Sequence, residues 1–366
     1  MSESSCCGGD TTNTPTGDDV HAWVADYYGN VLASSKDLAT NACCAIEAPP
    51  VHIAEALTHI HPDVLARFYG CGFPIPEAVQ GARVVDLGCG TGRDVYLLSQ
   101  LVGPEGHVHG VDMTESQLAV ARETQDWHRE RFGHAESNVT FHQGYIEDLS
   151  FLPDDSVDLL VSNCVVNLSP RKDLVLREVF RVLAPGGEFY LSDVFCDRRL
   201  PDDVATDPLL HSECLGGAMY GYDFEMLAKE VGFRDIRAME RGAITIQNPA
   251  IERKVGAARF ESVTVRLFKL PKLDARCEDY GQVAIYRTEM PGIGRLYRLD
   301  EHHLFELGRP ERVCSNTAMM LSDTRLAPFF DVVGDTSVHY GPFDCSATMA
   351  HDQYANQTAP TQTSCC

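Results

Sequence analysis

The stretch VVDLGCGTG at residues 84–92 decides the fold, because an apolar strand runs there into a glycine-rich turn. The strand is predicted over Arg83–Leu87, and a helix is predicted over Asp94–Val102. Glycine at every second position of the turn lets the backbone bend tightly and approach a ligand where a Cβ atom would collide. A dinucleotide-binding loop needs glycine at position 93, where this chain has Arg93, and the Gly-Lys-Ser/Thr of a P-loop is missing. The turn therefore predicts a ligand-binding loop of neither type.

Strands and helices alternate along the chain after this turn. The further strands predicted are His107–Val111, Val139–His142, Val157–Ser162 and Glu188–Ser192, and the further helices are Glu115–Arg131, Lys172–Leu183 and Tyr222–Val231. Such alternation is typical of a parallel, doubly wound sheet. Beyond residue 232 the rhythm fades, and strands predicted over Val263–Leu270 and Gln282–Arg287 indicate a β-rich region.

Two acidic segments follow the turn at the spacing of a nucleoside site. Asp112 ends the second strand, 20 residues after Gly92, where its carboxylate can accept hydrogen bonds from both ribose hydroxyls. The Gly-x-Gly-x-Gly spacing resembles the nucleoside-binding loop of class I methyltransferases, in which the later segment GYIED at 144–148 would bracket the adenine with Ile146. This resemblance implies S-adenosylmethionine as the cofactor. The candidate cofactor-binding residues are Asp86, Gly88, Cys89, Gly90, Thr91, Gly92, Asp112, Met113, Tyr145, Ile146, Glu147 and Asn163.

The expected architecture is an α/β fold in four segments. A disordered, cysteine-containing tail occupies 1–18, and a methyltransferase domain with a helical N-terminal lead occupies 19–235. A smaller β-rich C-terminal domain follows at 236–350, and a second disordered, cysteine-containing tail occupies 351–366. The central domain is expected to hold a doubly wound, Rossmann-like sheet of the class I methyltransferase type.

The charge of the chain disfavours two classes of partner. Its 53 acidic and 30 basic residues leave a formal net charge of -23, which repels nucleic-acid backbones and anionic membrane surfaces. No apolar run reaches the roughly 18 residues that a membrane-spanning helix needs, and the first ten residues do not resemble a signal peptide. We expect a cytoplasmic monomer without nucleic-acid or membrane partners.

Three of the 14 cysteines lie where a substrate should bind. Cys164 ends the fourth strand, and Cys214 lies in a loop after the fifth, on the ligand-binding side of an open sheet. Cys71 lies in the helical lead, which is expected to cap the site. Of the other cysteines, Cys89 is expected to fill space in the glycine turn. Four more cysteines are expected to be structural or incidental, namely Cys196, Cys277, Cys314 and Cys345. The cysteine pairs of the tails, Cys6-Cys7 and Cys365-Cys366, suit opportunistic binding of thiophilic metals.

Blocks around these cysteines resemble the arsenite methyltransferase family from about residue 26 to about residue 270. They read KDLATNACC, RFYGCG, VVDLGCGTGRDVY, GVDM, VTFHQGYIEDL, VSNCVVNL, LAPGGEFYLSDV and SECLGGA. The resemblance implies that Cys71, Cys164 and Cys214 bind As(III) and that an N-terminal cysteine forms a disulfide during turnover. That cysteine falls on Cys43, with Cys44 as a rival. It also implies arsenite or its glutathione conjugates as substrate, thioredoxin or glutathione as reductant, and a role in arsenic detoxification.

The chemistry of arsenic agrees with these residues. As(III) is soft and thiophilic, and three thiolates would leave its lone pair at the apex of a pyramid, ready to attack a sulfonium methyl group. No proton has to leave, so no general base is nominated. Mono- and dimethylated products are expected, and trimethylated ones are allowed.

Two other functions are compatible with parts of the sequence. A methyltransferase for a carbon or oxygen acceptor, such as a quinone or sterol, would share the cofactor site but leave the three cysteines unexplained. A non-catalytic binder of thiophilic metals would explain the cysteines but make the spacing of Asp112 a coincidence.

Overall fold

The computed structural model describes residues 15–32 and 49–345. Its strands are β1 Arg83–Leu87, β2 His107–Asp112, β3 Val139–Gln143, β4 Val157–Asn163, β5 Leu183–Cys196, β6 Met219–Tyr220, β7 Ile236–Ile244, β8 Phe260–Phe268, β9 Glu278–Asp279, β10 Val283–Tyr286, β11 Leu296–Asp300, β12 His303–Glu306, β13 Pro310–Arg312, β14 Phe330–Val333 and β15 Gly341–Pro342. Its α-helices are α1 Gly17–Asp26, α2 Val51–Leu57, α3 Pro62–Leu65, α4 Arg93–Val102, α5 Glu115–Glu123, α6 Gln125–Phe132, α7 Lys172–Val182, α8 Asp202–Ala205, α9 Pro208–Ser212, α10 Gly221–Val231, α11 Pro249–Val255 and α12 Ser315–Ser322. A π-helical turn covers Tyr27–Val31, and 3-10 turns cover Val166–Leu168 and Ala327–Phe329.

One large sheet organises the molecule, with strand order β3-β2-β1-β4-β5-β8-β7 and β6 paired to β5. Strands β1 to β5 run parallel to one another, which confirms the predicted doubly wound, Rossmann-like arrangement. The first strand, β1, lies inside the sheet, and β2 and β3 are added on one side of it. The chain then returns and adds β4 on the other side of β1. The carboxyl ends of these strands therefore meet at one edge, where open α/β sheets bind their ligands.

Both faces of the sheet are covered by helices. Successive side chains of a strand point to opposite faces, so Val85 packs into one hydrophobic core and Val84 into another. Helix α7 contributes Val175 to the first core, and α4 contributes Leu97 to the second. The continuous apolar character of β1 follows from this burial on both sides.

Strands β7 and β8 follow the domain boundary predicted after residue 235, and both belong to the large sheet. Strand β8 pairs antiparallel with β5 over the whole stretch from Glu188 to Cys196, and β7 pairs antiparallel with β8. An antiparallel strand can join the edge of a parallel sheet without a crossover helix. The end of the strand–helix rhythm therefore does not mark the end of the sheet.

The region after β8 is rich in short strands, as expected. It contains the sheets β13-β10-β14, β11-β12 and β15-β9. Aromatic side chains of this region, among them Tyr286, Tyr297 and Phe330, belong to a separate hydrophobic cluster. The division of the chain into domains stays a prediction, and the two tails lie outside the described residues.

The long helix predicted over Glu115–Arg131 is two helices, α5 and α6. The break falls at Thr124, whose hydroxyl donates to the carbonyl oxygens of Val120 and Ala121 at 3.2 and 3.1 Å. Such hydrogen bonds to the preceding turn favour a bend. Nowhere in residues 15–32 and 49–345 is a helix both long and apolar enough to cross a membrane.

Candidate active site

The glycine turn after β1 is held in a conformation that favours glycine. Gly88, Gly90 and Gly92 have φ angles of 67°, 52° and 88°, in the left-handed region that costs other residues roughly 1–2 kcal/mol. A Cβ atom on Gly88 would lie 2.4 Å from a methyl carbon of Val165. The N–H of Gly90 donates to the Asp112 carboxylate at 2.8 Å, which ties the turn to the end of β2.

The turn forms one wall of a cleft at the carboxyl ends of the strands. The cleft has a volume of about 940 Å³, including the part that is open to solvent. Eleven of the twelve candidate cofactor-binding residues line it, and only Gly92 does not. Gly92 is instead the N-cap residue of α4. A Cβ atom at this position would lie 3.2 Å from the rings of Phe141 and Tyr96.

Helix α1 covers one side of this cleft, a contact that no motif indicated. The His21 ring stacks on Tyr145 with centroids 4.3 Å apart, and its Nε2 lies 3.1 Å from a Glu147 carboxylate oxygen. Val24 and Tyr28 also line the cleft. His21 is more than 100 positions from Tyr145 and Glu147, so only the folded chain brings them together.

Asn163 fixes the segment that carries Cys71 to the end of β4. Its side-chain oxygen accepts the N–H of Cys71 at 3.0 Å, and its Nδ2 donates to the carbonyl of Gly72 at 2.9 Å. The same Nδ2 donates to Asp94 at 3.1 Å. Because Asn163 also lines the cleft, it connects the cofactor side of the site to the cysteines.

The three cysteines expected to bind the substrate lie together. Cys71 and Cys164 form a disulfide with Cα atoms 5.9 Å apart, and the Cys214 thiol donates to the Cys164 carbonyl at 3.2 Å. The sulfur atoms of Cys164 and Cys214 lie within 4.8 Å of each other. All three residues are buried, and Cys164 lines the cleft. In the structure the group is therefore in an oxidised form, with Cys214 outside the disulfide.

Backbone conformation contributes to this grouping. Cys164 and Cys214 have φ angles of 57° and 62°, and in the described part of the chain only Ala78 and Asp155 share positive φ among non-glycine residues. Left-handed backbone at a residue with a Cβ atom is costly and occurs preferentially at functional sites. The conformation of both cysteines thus supports a role for them beyond packing.

Asp193 is a polar neighbour of these cysteines that sequence reasoning missed. One of its carboxylate oxygens lies within 4.8 Å of the Cys164 and Cys214 sulfur atoms. It accepts hydrogen bonds from the N–H groups of Asn167 and Val194 at 3.1 and 2.8 Å, and burial raises its pKa to about 7. It directly follows the strand predicted over Glu188–Ser192, in the block LSDV, and this position is the signal that could have identified it.

The other cysteines divide into four groups, one of which is Cys196 alone, a buried residue at the end of β5. Cys43 and Cys44, like both tail pairs, lie outside the described residues. Cys89 is a buried thiol of the glycine turn whose pKa is raised by burial, in keeping with a neutral filler. The last group consists of Cys277, Cys314 and Cys345, whose sulfur atoms lie within 4.8 Å of one another.

Known proteins resemble this chain over most of its length. Residues 78–237 match a family described as a methyltransferase domain. The chain is 52% identical to the arsenite methyltransferase of Aquipseudomonas alcaligenes, covering 95% of this chain and 100% of that protein. It is 45% identical to the arsenite methyltransferase of Homo sapiens, covering 84% and 82% respectively.

A solved structure agrees with these sequence relationships. The crystal structure of an arsenic(III) S-adenosylmethionine methyltransferase from Chlamydomonas reinhardtii aligns with a TM-score of 0.78 at 50% identity. The alignment covers 81% of this chain and 100% of that one. The class I methyltransferase fold, the cofactor cleft and these relatives together establish that the chain belongs to the arsenite methyltransferase family of S-adenosylmethionine-dependent enzymes.

Proposed function

We propose that this protein transfers methyl groups from S-adenosylmethionine to As(III) held by the thiolates of Cys71, Cys164 and Cys214. The observation that carries the proposal is the meeting of three cysteines, separated by 93 and 50 residues, at the edge of the cofactor cleft. Soft ions prefer thiolate ligands. A site for a carbon or oxygen acceptor has no use for three sulfur atoms in this position.

The residues of the cleft fit the cofactor. The turn leaves open space at Gly90 that a side chain would fill, and the Asp112 carboxylate can accept hydrogen bonds from ribose hydroxyls. Ile146 and Tyr145 offer apolar surface for the adenine. When bound, the cofactor supplies an electrophilic methyl group on a sulfonium sulfur.

The three thiolates would position arsenic for attack. Three sulfur ligands leave the arsenic lone pair opposite them, and in-line displacement forms the As–C bond as the S–C bond breaks. The acceptor carries no proton at the reacting atom, so no general base is needed. Positioning can supply several kcal/mol of the rate enhancement, up to about 7–11 kcal/mol for well-oriented reactants.

The cysteines would also supply electrons. Methyl transfer leaves arsenic formally pentavalent, and two thiolates return it to the trivalent state when they give up two electrons and form a disulfide. The disulfide between Cys71 and Cys164 supports this step, because it joins two of the proposed ligands. We propose Cys43, or its neighbour Cys44, as a further disulfide partner, with thioredoxin or glutathione restoring the thiols.

The remaining parts of the proposal follow from this cycle. The substrate would be arsenite or its glutathione conjugates, and the products would be mono- and dimethylated arsenicals. Turnover needs reduced thiols, so we propose that the protein works in the cytoplasm, where reductants keep thiols free. We propose that it acts as a monomer, because one chain carries both the cleft and the three described cysteines.

Arsenic speciation after turnover tests the proposal. The reduced protein is incubated with arsenite, a thiol and S-adenosylmethionine labelled on its methyl group. We expect label in mono- and dimethylated arsenic. Arsenic that stays bound without acquiring label would favour a metal-binding protein, and label found instead in an added quinone or sterol would favour a carbon or oxygen acceptor. Either of these results would overturn the proposal.

A further inference from the structure

A second group of three cysteines lies in the region after β8. Cys277 directly precedes β9, Cys314 is the N-cap of α12, and Cys345 follows β15. Their three sulfur atoms lie within 4.8 Å of one another. None of them takes part in a disulfide, and none lines the cofactor cleft. The group is therefore separate from the proposed catalytic cysteines.

The backbone around this group is ordered by hydrogen bonds. The N–H of Phe343 donates to the carbonyl of Cys277 at 3.0 Å, and β9 pairs with β15. These contacts bring the chain that leads into Cys345 next to Cys277. Cys314 is buried, whereas Cys277 is partly exposed and lines a second cleft, so a small solute can reach the group.

Hydrogen-bond donors surround the buried sulfur of the group. The N–H of Thr317 donates to Cys314 Sγ at 3.4 Å, and Arg237 Nη2 lies 3.7 Å from the same sulfur and 4.0 Å from that of Cys277. These donors favour a thiolate over a thiol at Cys314. A thiolate is the form that binds soft ions.

The number of ligands and the net charge of the site favour a trivalent ion over zinc. In the described part of the chain the group has no fourth ligand from histidine, cysteine or a carboxylate, whereas structural zinc sites use four. Arg237 pairs with two carboxylates, Asp235 at 2.7 Å and Asp300 at 2.9 Å, so an anionic zinc trithiolate would add to a net negative charge around this guanidinium group. A trivalent ion on three thiolates is neutral, which avoids burying an unpaired charge.

We propose that Cys277, Cys314 and Cys345 form a second As(III) site that binds arsenic without methylating it. Binding of arsenous acid forms three As–S bonds, and its three hydroxyl groups leave as water. Two of the protons for this water come from the thiols of Cys277 and Cys345, and the third comes from solvent, because Cys314 is a thiolate. No electrons are transferred. The bound ion would link three segments of the C-terminal region, and this binding is independent of the proposed turnover.

The test is the number of arsenic atoms bound per chain. Reduced protein is saturated with arsenite, freed of excess by gel filtration and analysed for arsenic by mass spectrometry. The variant carries both Cys277→Ser and Cys314→Ser, so that one thiol of the group remains. Serine is a favoured N-cap residue, which preserves the start of α12. The matched control is Cys196→Ser, a buried cysteine that lines the same second cleft but lies outside the group.

We expect the double variant to bind one arsenic fewer than the wild type and the Cys196→Ser control to bind the same number as the wild type. Other thiols, including those of the tails, are present in all three proteins and cancel in the comparison. Arsenite should also raise the unfolding temperature of the wild type more than that of the double variant. Equal arsenic content in the wild type and the double variant would overturn the proposal, as would one zinc per wild-type chain that arsenite does not displace.

Discussion

At the residue scale, Asp112 has two tasks. Its Oδ2 accepts the N–H of Gly90 and its Oδ1 accepts the N–H of Thr114, each at 2.8 Å, and both residues line the cleft. The carboxylate is therefore held in place before a ligand arrives. Sequence spacing alone identified Asp112, because the end of β2 lies beside the end of β1 in any doubly wound sheet.

Asp112→Ala should weaken binding of S-adenosylmethionine by about 1.5–3 kcal/mol, which is roughly a 10- to 100-fold rise in Kd, because a charge-assisted hydrogen bond is lost. Calorimetric titration with S-adenosylhomocysteine measures the effect without turnover. Asp112→Asn keeps one acceptor oxygen and should lie between the wild type and the alanine variant. An unchanged Kd for Asp112→Ala would mean that another residue binds the ribose.

The positions of the cysteines were predictable, but their geometry was not. Cys164 and Cys214 follow strand ends, so their side of the sheet could be inferred from the alternation of strands and helices. Their left-handed backbone and the Asn163 hydrogen bond to Cys71 depend on tertiary contacts that carry no sequence pattern. Asp193 differs from them in this respect, because its position directly after a predicted strand could have identified it.

At the element scale, the glycine turn can be tested by three matched substitutions. Gly81 and Gly88 have nearly equal φ angles of 71° and 67°, but a Cβ atom meets Val165 only at Gly88 and nothing within 4 Å at Gly81. Gly90 also has nothing within 4 Å, yet it lines the cleft. The three positions therefore separate backbone strain, steric clash and loss of ligand space.

Gly81→Ala should cost about 1–2 kcal/mol of unfolding free energy, the penalty of left-handed backbone alone. Gly88→Ala should cost more than Gly81→Ala, because Val165 must move. Gly90→Ala should match Gly81→Ala in stability but lose affinity for S-adenosylhomocysteine. Urea denaturation and calorimetry measure the two properties. Similar stability for Gly81→Ala and Gly88→Ala would show that Val165 yields without cost.

The elements were easier to predict than their connections. Hydrophobic runs located the strands of the parallel sheet to within a few residues, with β5 longer than expected. The break at Thr124 was missed because threonine is tolerated inside an amphipathic helix. The contact of α1 with Tyr145 and Glu147 could not be predicted, since a polar helix surface does not specify its partner.

At the scale of the whole molecule, buried charges join the C-terminal region to the large sheet. Glu188 on β5 and Arg266 on β8 are fully buried and paired at 2.5 Å, and Arg325, which follows α12, also pairs with Glu188. Arg325 donates in addition to the carbonyl of Glu77 at 3.0 Å. The C-terminal region is thus attached through polar contacts as well as through β8.

Glu188→Gln should reduce the free energy of unfolding by about 3–5 kcal/mol, because it leaves two guanidinium groups with reduced compensation in a buried site. Denaturant titration measures this loss. The control is Asp158→Asn, which removes an exposed ion pair with Arg83 on the same sheet and should cost less than about 1 kcal/mol. Equal effects of the two substitutions would argue against the structural role of Glu188.

The central claim is that three distant cysteines act on one arsenic atom beside the methyl donor. Its most direct test is the rate of arsenite methylation in Cys71→Ser, Cys164→Ser and Cys214→Ser, compared with Cys196→Ser, a buried cysteine of the same hydrophobic cluster. Each of the first three should lose at least about 100-fold in rate, because arsenic would no longer be positioned, and Cys196→Ser should keep the wild-type rate. A wild-type rate of arsenite methylation in any of the first three variants would contradict the account.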